Sequence, residues 1–139
     1  MSISPKTIID EVDNYLSQDD NRIRMYSFLE KFFQCEVYVR PILKQYYKDI
    51  GEEKEDKDIV LDAREIKDAL PENGIYINDK QLITRIFGTE QRSGISSCRW
   101  LRNKITHELM RRAVKEACNR SEELIADMDS FINQIKEQQ

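Results

Sequence analysis

The chain has 139 residues, and its 22 basic and 26 acidic side chains give a formal net charge of −4. This length predicts a single domain over residues 1–139, with a core large enough to fold without disulfides or metals. No apolar run approaches the ~20 residues of a membrane-spanning helix, and the N-terminus lacks the basic and apolar regions of a signal peptide, so we expect no membrane partner.

The first third of the chain predicts two helices. Ser4 and Pro5 form an N-cap followed by proline at the first helical position, and apolar residues then recur at helical spacing. A second helix, started by residues 19–21, is predicted over residues 22–50, with a kink at Pro41 and an end at Gly51. Its predicted apolar stripe contains Ile23, Tyr26, Phe32, Phe33, Val37, Val39, Leu43, Tyr46 and Tyr47.

The aromatic residues of this second helix allow two interpretations. They could stack on nucleic-acid bases, but their helical spacing is more typical of packing in a core or in a dimer. After the helix, the charged residues 52–58 predict a loop. A shorter helix is then predicted over residues 59–70, ended by the turn sequence at 71–74, and residues 75–77 could form one short extended piece.

The last half of the chain predicts three further helical stretches. Asp79 caps a helix that continues to Phe87 and closes at Gly88, and a loop over residues 89–96, with Ser93 and Gly94, follows. One continuous helix is predicted over residues 98–117, capped by the serine at 96 or 97. A break at residue 119 or 121 precedes a final amphipathic stretch over residues 124–135. The expected fold is an all-α bundle of about five helices, one of them long and kinked.

Basic residues are concentrated in the segment from Arg85 to Arg120. This segment has nine basic and three acidic residues, a charge of +6, while the rest of the chain has 13 basic and 23 acidic residues, a charge of −10. Such a segment is typical of a polyanion site. The alternative is a solvated helix face that lies beside an acidic one in the same fold. The basic residues are Arg85, Arg92, Arg99, Arg102, Lys104, Arg111, Arg112, Lys115 and Arg120.

Cysteine and histidine usage limits the kinds of site further. The three cysteines (Cys35, Cys98 and Cys118) are odd in number and form no C-x-x-C pair, which disfavours a disulfide framework or a zinc site and favours a reducing cytoplasm. The only histidine is His107, so a transition-metal site is improbable. We therefore expect a cytoplasmic protein without a cofactor, whose cysteines are small buried apolar residues rather than nucleophiles.

The single histidine lies in a helix that also carries arginine and asparagine. Arg99, Asn103 and His107 are spaced four apart and therefore share one face, whereas Arg102 lies about 140° around the helix from His107. Leu101, Ile105 and Leu109 are also four apart and form a separate apolar stripe that suits the core. The helix is thus expected to separate a buried stripe from a polar face that bears a site.

The order Arg102-Asn103-x-x-x-His107 resembles the Arg-x4-His motif of the HEPN superfamily, in which asparagine often follows the arginine. The resemblance rests on about eight residues in a helical context. It implies a small all-α, HEPN-like domain acting as a homodimeric, metal-independent endoribonuclease in toxin–antitoxin or antiviral defence systems, with a composite site at the dimer interface. Tyrosine often lies two residues after the histidine in HEPN toxins that a nucleotidyltransferase modifies. Here that residue is Leu109, which puts such control in doubt.

The chemistry of these residues suits RNA cleavage. His107 can act as base or acid near neutral pH, Arg102 can stabilise the phosphorane, and Asn103 can hold either the imidazole or the phosphate. Since the chain has one histidine, a homodimer would supply the second titrating group. The products would be a 2′,3′-cyclic phosphate and a 5′-hydroxyl end. The expected RNA- and phosphate-binding residues are Arg99, Lys104, Arg111, Arg112 and Lys115.

A second hypothesis is a catalytically silent HEPN-like module that binds a protein, a nucleotide or RNA. The same arginine and histidine could bind a phosphate without cleaving it. Under either hypothesis, a separately encoded antitoxin or regulatory protein is a further expected partner.

Overall fold

The computed structural model describes residues 4–89 and 95–139, which form seven α-helices, a short 3-10 turn at Asp56–Asp58 and no strand. The all-α class is therefore confirmed, whereas the expected number of about five helices is wrong. No helix in these residues combines the length and apolarity that a membrane crossing requires. The helices are α1 (Pro5–Leu16), α2 (Asn21–Asp49), α3 (Ala63–Glu72), α4 (Lys80–Phe87), α5 (Cys98–Glu108), α6 (Arg111–Asn119) and α7 (Ser121–Glu137).

Side-chain caps begin three of the helices where the sequence predicts them. The Ser4 hydroxyl accepts a hydrogen bond from the Thr7 amide at 3.3 Å, with Pro5 as the first residue of α1. The Asp79 carboxylate accepts from the amide of residue 81 at 3.0 Å, and the Ser97 hydroxyl accepts from the Trp100 amide at 3.0 Å. Each cap satisfies one of the amides that the first turn of a helix leaves without a partner.

The long helix α2 has 29 residues, so it is about 44 Å long. Pro41 lies inside it, and Gly51 follows its end with a φ of +83° that suits glycine. The apolar stripe predicted for α2 is wrong in part. Phe32, Val39, Leu43 and Tyr47 are buried and Tyr46 is half-buried, but a second group faces solvent. This exposed group is Ile23, Tyr26, Phe33 and Val37.

All seven helices contribute side chains to one hydrophobic cluster. At its centre, Phe87 from α4 lies between Phe32 of α2 and Phe131 of α7, with ring centroids 5.9 Å and 5.5 Å away. These distances lie within the range of favourable aromatic contacts. The aromatic residues of α2 thus divide between this core and the exposed group.

The helix predicted over residues 98–117 is two helices, because the backbone turns at Leu109. This residue adopts a left-handed conformation with a φ of +46° and ends α5. The amides of Leu109 and Met110 both donate to the Lys104 carbonyl, and the left-handed position at the end of a helix is usually occupied by glycine. Leu109 and Met110 are half-buried against the core, and this packing offsets the strain of a left-handed leucine.

One further expectation needs correction. The helix predicted over residues 59–70 begins later, at Ala63, and includes Pro71 in its last turn. Residues 75–77 belong to no helix or strand, and Ile75 is buried. Of the loop predicted over residues 89–96, residues 90–94 lie outside the described residues, and so do the predicted loop residues Ser93 and Gly94 and the basic residue Arg92.

Candidate functional site

Hydrogen bonds from two neighbouring helices hold the beginning of α5. The Ser97 hydroxyl donates to the Gly88 carbonyl at 2.5 Å, which joins α5 to the end of α4. The Glu116 carboxylate of α6 accepts from the Ser96 amide at 3.1 Å and from the Ser96 hydroxyl at 3.0 Å. A β-carbon at Gly88 would lie 2.6 Å from the Thr84 carbonyl oxygen, so only glycine fits at this junction.

A cleft of about 400 Å³ lies along the polar face of α5. Arg99, Asn103 and His107, which the sequence places on one face, all line it, and so does Lys104. The cleft therefore brings together one predicted catalytic pair and two predicted phosphate-binding cations. The remaining lining residues are Thr89, Trp100 and Glu108.

Arg102 does not line this cleft, because its guanidinium is directed toward α2. Its Nη1 donates to the Glu36 carboxylate at 2.5 Å, and the guanidinium carbon lies 4.7 Å from the centre of the Phe32 ring. Glu36 is only 8% exposed and also binds Arg40 at 3.1 Å. The charge of Arg102 is thus largely balanced by a buried carboxylate.

Arg102 nevertheless contacts the cleft through Asn103. The Arg102 Nε donates to the Asn103 Oδ1 at 2.9 Å. Since this bond occupies the amide oxygen, the Asn103 NH₂ group is oriented with its donors available to a ligand. The sequence analysis missed Glu36, although a charged residue between apolar neighbours in α2 was a signal for a buried ion pair.

Arg99 is the cation of the cleft whose donors are least satisfied. Its Nη1 is buried and has no hydrogen-bond partner among the described residues. The guanidinium forms no ion pair with any residue in the described ranges, so its charge is available to attract an anion in the cleft that it lines. Lys104, by contrast, pairs with Glu108 at 2.5 Å. Arg99 is therefore the strongest anion-binding group that the cleft offers.

His107 lies in the last turn of α5 and is exposed. Its imidazole makes no hydrogen bond to any residue in the ranges 4–89 and 95–139. Both ring nitrogens are therefore accessible from the cleft, as proton transfer to or from a ligand requires.

The other predicted phosphate-binding residues lie outside this cleft. Arg111 and Lys115 line a second cleft between α1 and α6, where Arg111 pairs with Glu11 and the Lys115 ammonium lies 5.6 Å from the Tyr15 ring centre. Arg112 is exposed and forms no ion pair within the described part of the chain.

Acidic residues outside the basic segment neutralise part of its charge. Arg85 pairs with Asp79 at 3.1 Å and with Asp127 at 3.0 Å. Arg120 pairs with Glu123 of α7 at 2.5 Å. The segment is therefore less positive in the fold than along the chain, and the alternative interpretation of a basic face beside an acidic one applies to these residues.

All three cysteines are buried and free. Burial raises the pKa of the Cys35 thiol to about 12 and also raises the pKa of Cys98. Thiols that remain protonated are poor nucleophiles, so the cysteines behave as core residues. Across the described ranges, no three His, Cys, Asp or Glu side chains are grouped as metal ligands would be.

We compared the chain with known proteins by sequence and by structure. No protein-family model, no curated protein and no solved structure matches the chain.

Proposed function

We propose that the chain is a HEPN-like, metal-independent endoribonuclease that acts as a homodimer, in the manner of a toxin or antiviral effector. The observation that carries this proposal is the α5 cleft, where an exposed imidazole, an oriented amide and a half-buried guanidinium without a partner among the described residues lie together. His107, Asn103 and Arg99 provide these three groups. They supply proton transfer, hydrogen bonding and positive charge, which phosphodiester cleavage needs.

In the proposed reaction, the 2′-hydroxyl of the RNA attacks the adjacent phosphorus and the bond from phosphorus to the 5′-oxygen breaks. His107 accepts the proton of the 2′-hydroxyl. The same histidine of a second subunit donates a proton to the leaving 5′-oxygen. The products are a 2′,3′-cyclic phosphate and a 5′-hydroxyl end, and no redox step is involved.

Arg99 and Asn103 bind the phosphate in this mechanism. The guanidinium of Arg99 and the NH₂ of Asn103 donate to the non-bridging oxygens, whose negative charge grows as the phosphorane forms. The charge of Arg102 is largely balanced by Glu36, and its Nε positions the Asn103 amide. We therefore assign Arg102 a positioning role rather than direct contact with the phosphorane.

Trp100 offers a surface for a nucleobase beside the phosphate. It is half-buried and lines the cleft, with the Lys104 ammonium 5.7 Å from its ring centre. Indole rings stack on bases of any sequence, and such stacking contributes about 1–3 kcal/mol per base. This residue supports single-stranded RNA as the substrate.

One observation favours the second candidate, a binding module without activity. The Arg102 charge is balanced by Glu36, and His107 has no described hydrogen-bond partner that would orient its imidazole. Such a cleft could bind a phosphate of RNA, of a nucleotide or of a protein without cleaving it. In that case, the bound phosphate would control whether a separately encoded antitoxin or regulatory protein binds to this chain.

The test is cleavage of single-stranded RNA in the presence of EDTA. We expect cleavage to continue, with 2′,3′-cyclic phosphate ends that mass spectrometry identifies. Activity that EDTA abolishes and magnesium restores would contradict the proposed reaction. RNA that binds but remains intact under both conditions would favour the binding module.

A further inference from the structure

We propose that the outward face of α2 is the surface through which two copies of this chain pair, antiparallel, about a two-fold axis between Phe33 and Val37. The pairing would bring a second α5 next to the first. In this respect the inference rests on the proposed function, since one histidine per chain leaves the acid–base site incomplete.

The outward face of α2 carries a regular apolar stripe. Ile23, Tyr26, Phe33 and Val37 are 64%, 53%, 64% and 54% exposed. Their spacings of three, seven and four residues fit the heptad pattern by which one helix packs on another, with Glu30 at the one remaining position of the pattern. The stripe extends about 21 Å along a helix whose opposite side is already in the core. A long, straight apolar stripe of this kind fits another helix better than a small ligand.

The stripe borders the junction of α2 with α5. At 100° per residue, Glu36 lies about 60° around α2 from Phe33, and Glu36 binds Arg102 of α5. On α5, Arg99, Asn103 and His107 lie about 60°, 100° and 140° around the helix from Arg102. A second copy on the stripe would therefore lie beside the helix that carries the cleft.

Charge favours this register over one centred on Glu30. With the axis between Phe33 and Val37, Phe33 of each copy faces Val37 of the other, and Glu30 faces Arg40 twice. An axis at Glu30 would instead place two carboxylates opposite each other, which is unfavourable. Arg40 is half-buried and already binds Glu36 at 3.1 Å, so its guanidinium is held in position for a second carboxylate.

In this register, a cleft lies opposite the Phe33 side chain of the other copy. A cleft of about 730 Å³ lies between α2 and the 3-10 turn, and Val37, Arg40 and Pro41 line its α2 side. Since Val37 faces Phe33 of the other copy, that phenylalanine reaches the mouth of the cleft. An aromatic side chain in a pocket is the usual anchor of a protein interface. Two-fold symmetry would provide two such anchors.

Light scattering of matched variants tests the surface without RNA. The wild-type chain should be a dimer at micromolar concentration. Val37→Glu should raise the dissociation constant by about 100-fold or more, because symmetry buries an unpaired carboxylate twice. The control is Tyr76→Glu, at a tyrosine that is 67% exposed between α3 and α4, and it should remain a dimer. Circular dichroism would verify that both variants fold.

Disulfide trapping tests the register. A mixture of Phe33→Cys and Val37→Cys chains should form a cross-linked heterodimer on oxidation, whereas either variant alone should cross-link far less. Tyr76→Cys, at a residue 67% exposed, provides the control for random collision. The native cysteines are buried and should not contribute.

The outcomes separate this inference from the proposed function. A monomeric wild-type chain, or a Val37→Glu variant that remains a dimer, would overturn the α2 surface. If the wild-type dimer is dissociated by Val37→Glu but does not cleave RNA, the α2 surface is supported and the nuclease proposal is overturned. A monomeric Val37→Glu variant with full cleavage would keep the surface and contradict a composite site.

Discussion

Two arginines of α5 illustrate how surroundings determine what a residue can do. Arg99 has a buried nitrogen without a described partner and lines the cleft, whereas Arg102 binds a buried carboxylate outside it. Replacing each arginine should therefore have a different main effect. Arg99 should matter for ligand binding, and Arg102 should matter for stability as well.

Arg102→Ala should lower the free energy of unfolding by about 2 kcal/mol, because Glu36 would lose one of its two partners in a buried position. It should also reduce both RNA affinity and cleavage rate, since the Asn103 amide would lose its orientation. Urea denaturation and gel assays would measure these effects. Arg112→Ala, at an exposed arginine, should change stability by no more than about 0.5 kcal/mol. Equal stability of the two variants would contradict the assigned role of the Glu36 pair.

His107→Ala should reduce RNA cleavage by ~100- to 10,000-fold and leave RNA affinity nearly unchanged, because in the proposed mechanism the imidazole transfers protons and does not anchor the RNA. Single-turnover cleavage and filter binding would separate the two quantities. Thr106→Ala, at the exposed neighbouring residue, should retain cleavage. Full activity of His107→Ala would rule out the proposed acid–base mechanism and make the phosphate-binding module the better description.

The buried thiols predict a loss of stability at alkaline pH. Below the unfolded thiol pKa of about 8.5, both states are protonated and stability is unaffected. Above it only the unfolded thiols ionise, because the pKa of Cys35 is about 12 in the folded protein and that of Cys98 is also raised. Each thiol should then remove about 1.4 kcal/mol per pH unit. Thermal unfolding from pH 8 to 10 should show this decline, and a chain with alanine at residues 35 and 98 should decline less.

At the scale of the helix, local signals were sufficient for some boundaries and insufficient for others. Ser4, Asp79 and Ser97 are caps that depend on a few neighbouring atoms, so the sequence located them. The break at Leu109 depends on how α5 and α6 pack against the core. Because neither glycine nor proline marks it, periodicity predicted one continuous helix.

The left-handed backbone at Leu109 reverses the usual preference between alanine and glycine. Both replacements remove the half-buried side chain, but only alanine keeps the strain, so Leu109→Gly should be more stable than Leu109→Ala by about 1 kcal/mol. Chemical denaturation of the two variants would measure the difference. At Ala126, an exposed residue inside α7, Ala126→Gly should instead cost about 1 kcal/mol. The opposite order at residue 109 would show that its conformation is not left-handed in solution.

Helix α2 shows a second limit of periodicity. Its residues form two apolar faces, one in the core and one exposed, and both repeat at helical spacing. The sequence analysis combined members of both faces in one stripe, because the identity of the buried face depends on the helices that pack against it. For the site, spacing predicted that Arg99, Asn103 and His107 share a face, whereas the Glu36–Arg102 pair joins residues 66 positions apart.

At the scale of the whole molecule, a composite site predicts that an inactive subunit disables an active one. If each cleft needs histidines from two subunits, a heterodimer of wild type and His107→Ala should be inactive. When equal amounts of the two chains have exchanged subunits, about a quarter of the dimers contain two wild-type chains. The activity should therefore be about a quarter of that of the same total amount of wild-type protein. The control is the same mixture measured before the subunits exchange, which should have about half the activity of wild-type protein alone. Activity that remains at half after exchange would mean that each subunit works independently.

Gly88 has a consequence for how this protein tolerates mutation. The residue has no chemical role in the cleft, yet a single added methyl group would collide with the Thr84 carbonyl and displace the hydroxyl bond that begins α5. A saturation library screened for activity should therefore find this position intolerant even of alanine, although it lies 19 residues from the histidine. In such a library, positions that define the spacing between helices would be as restricted as those that line the cleft.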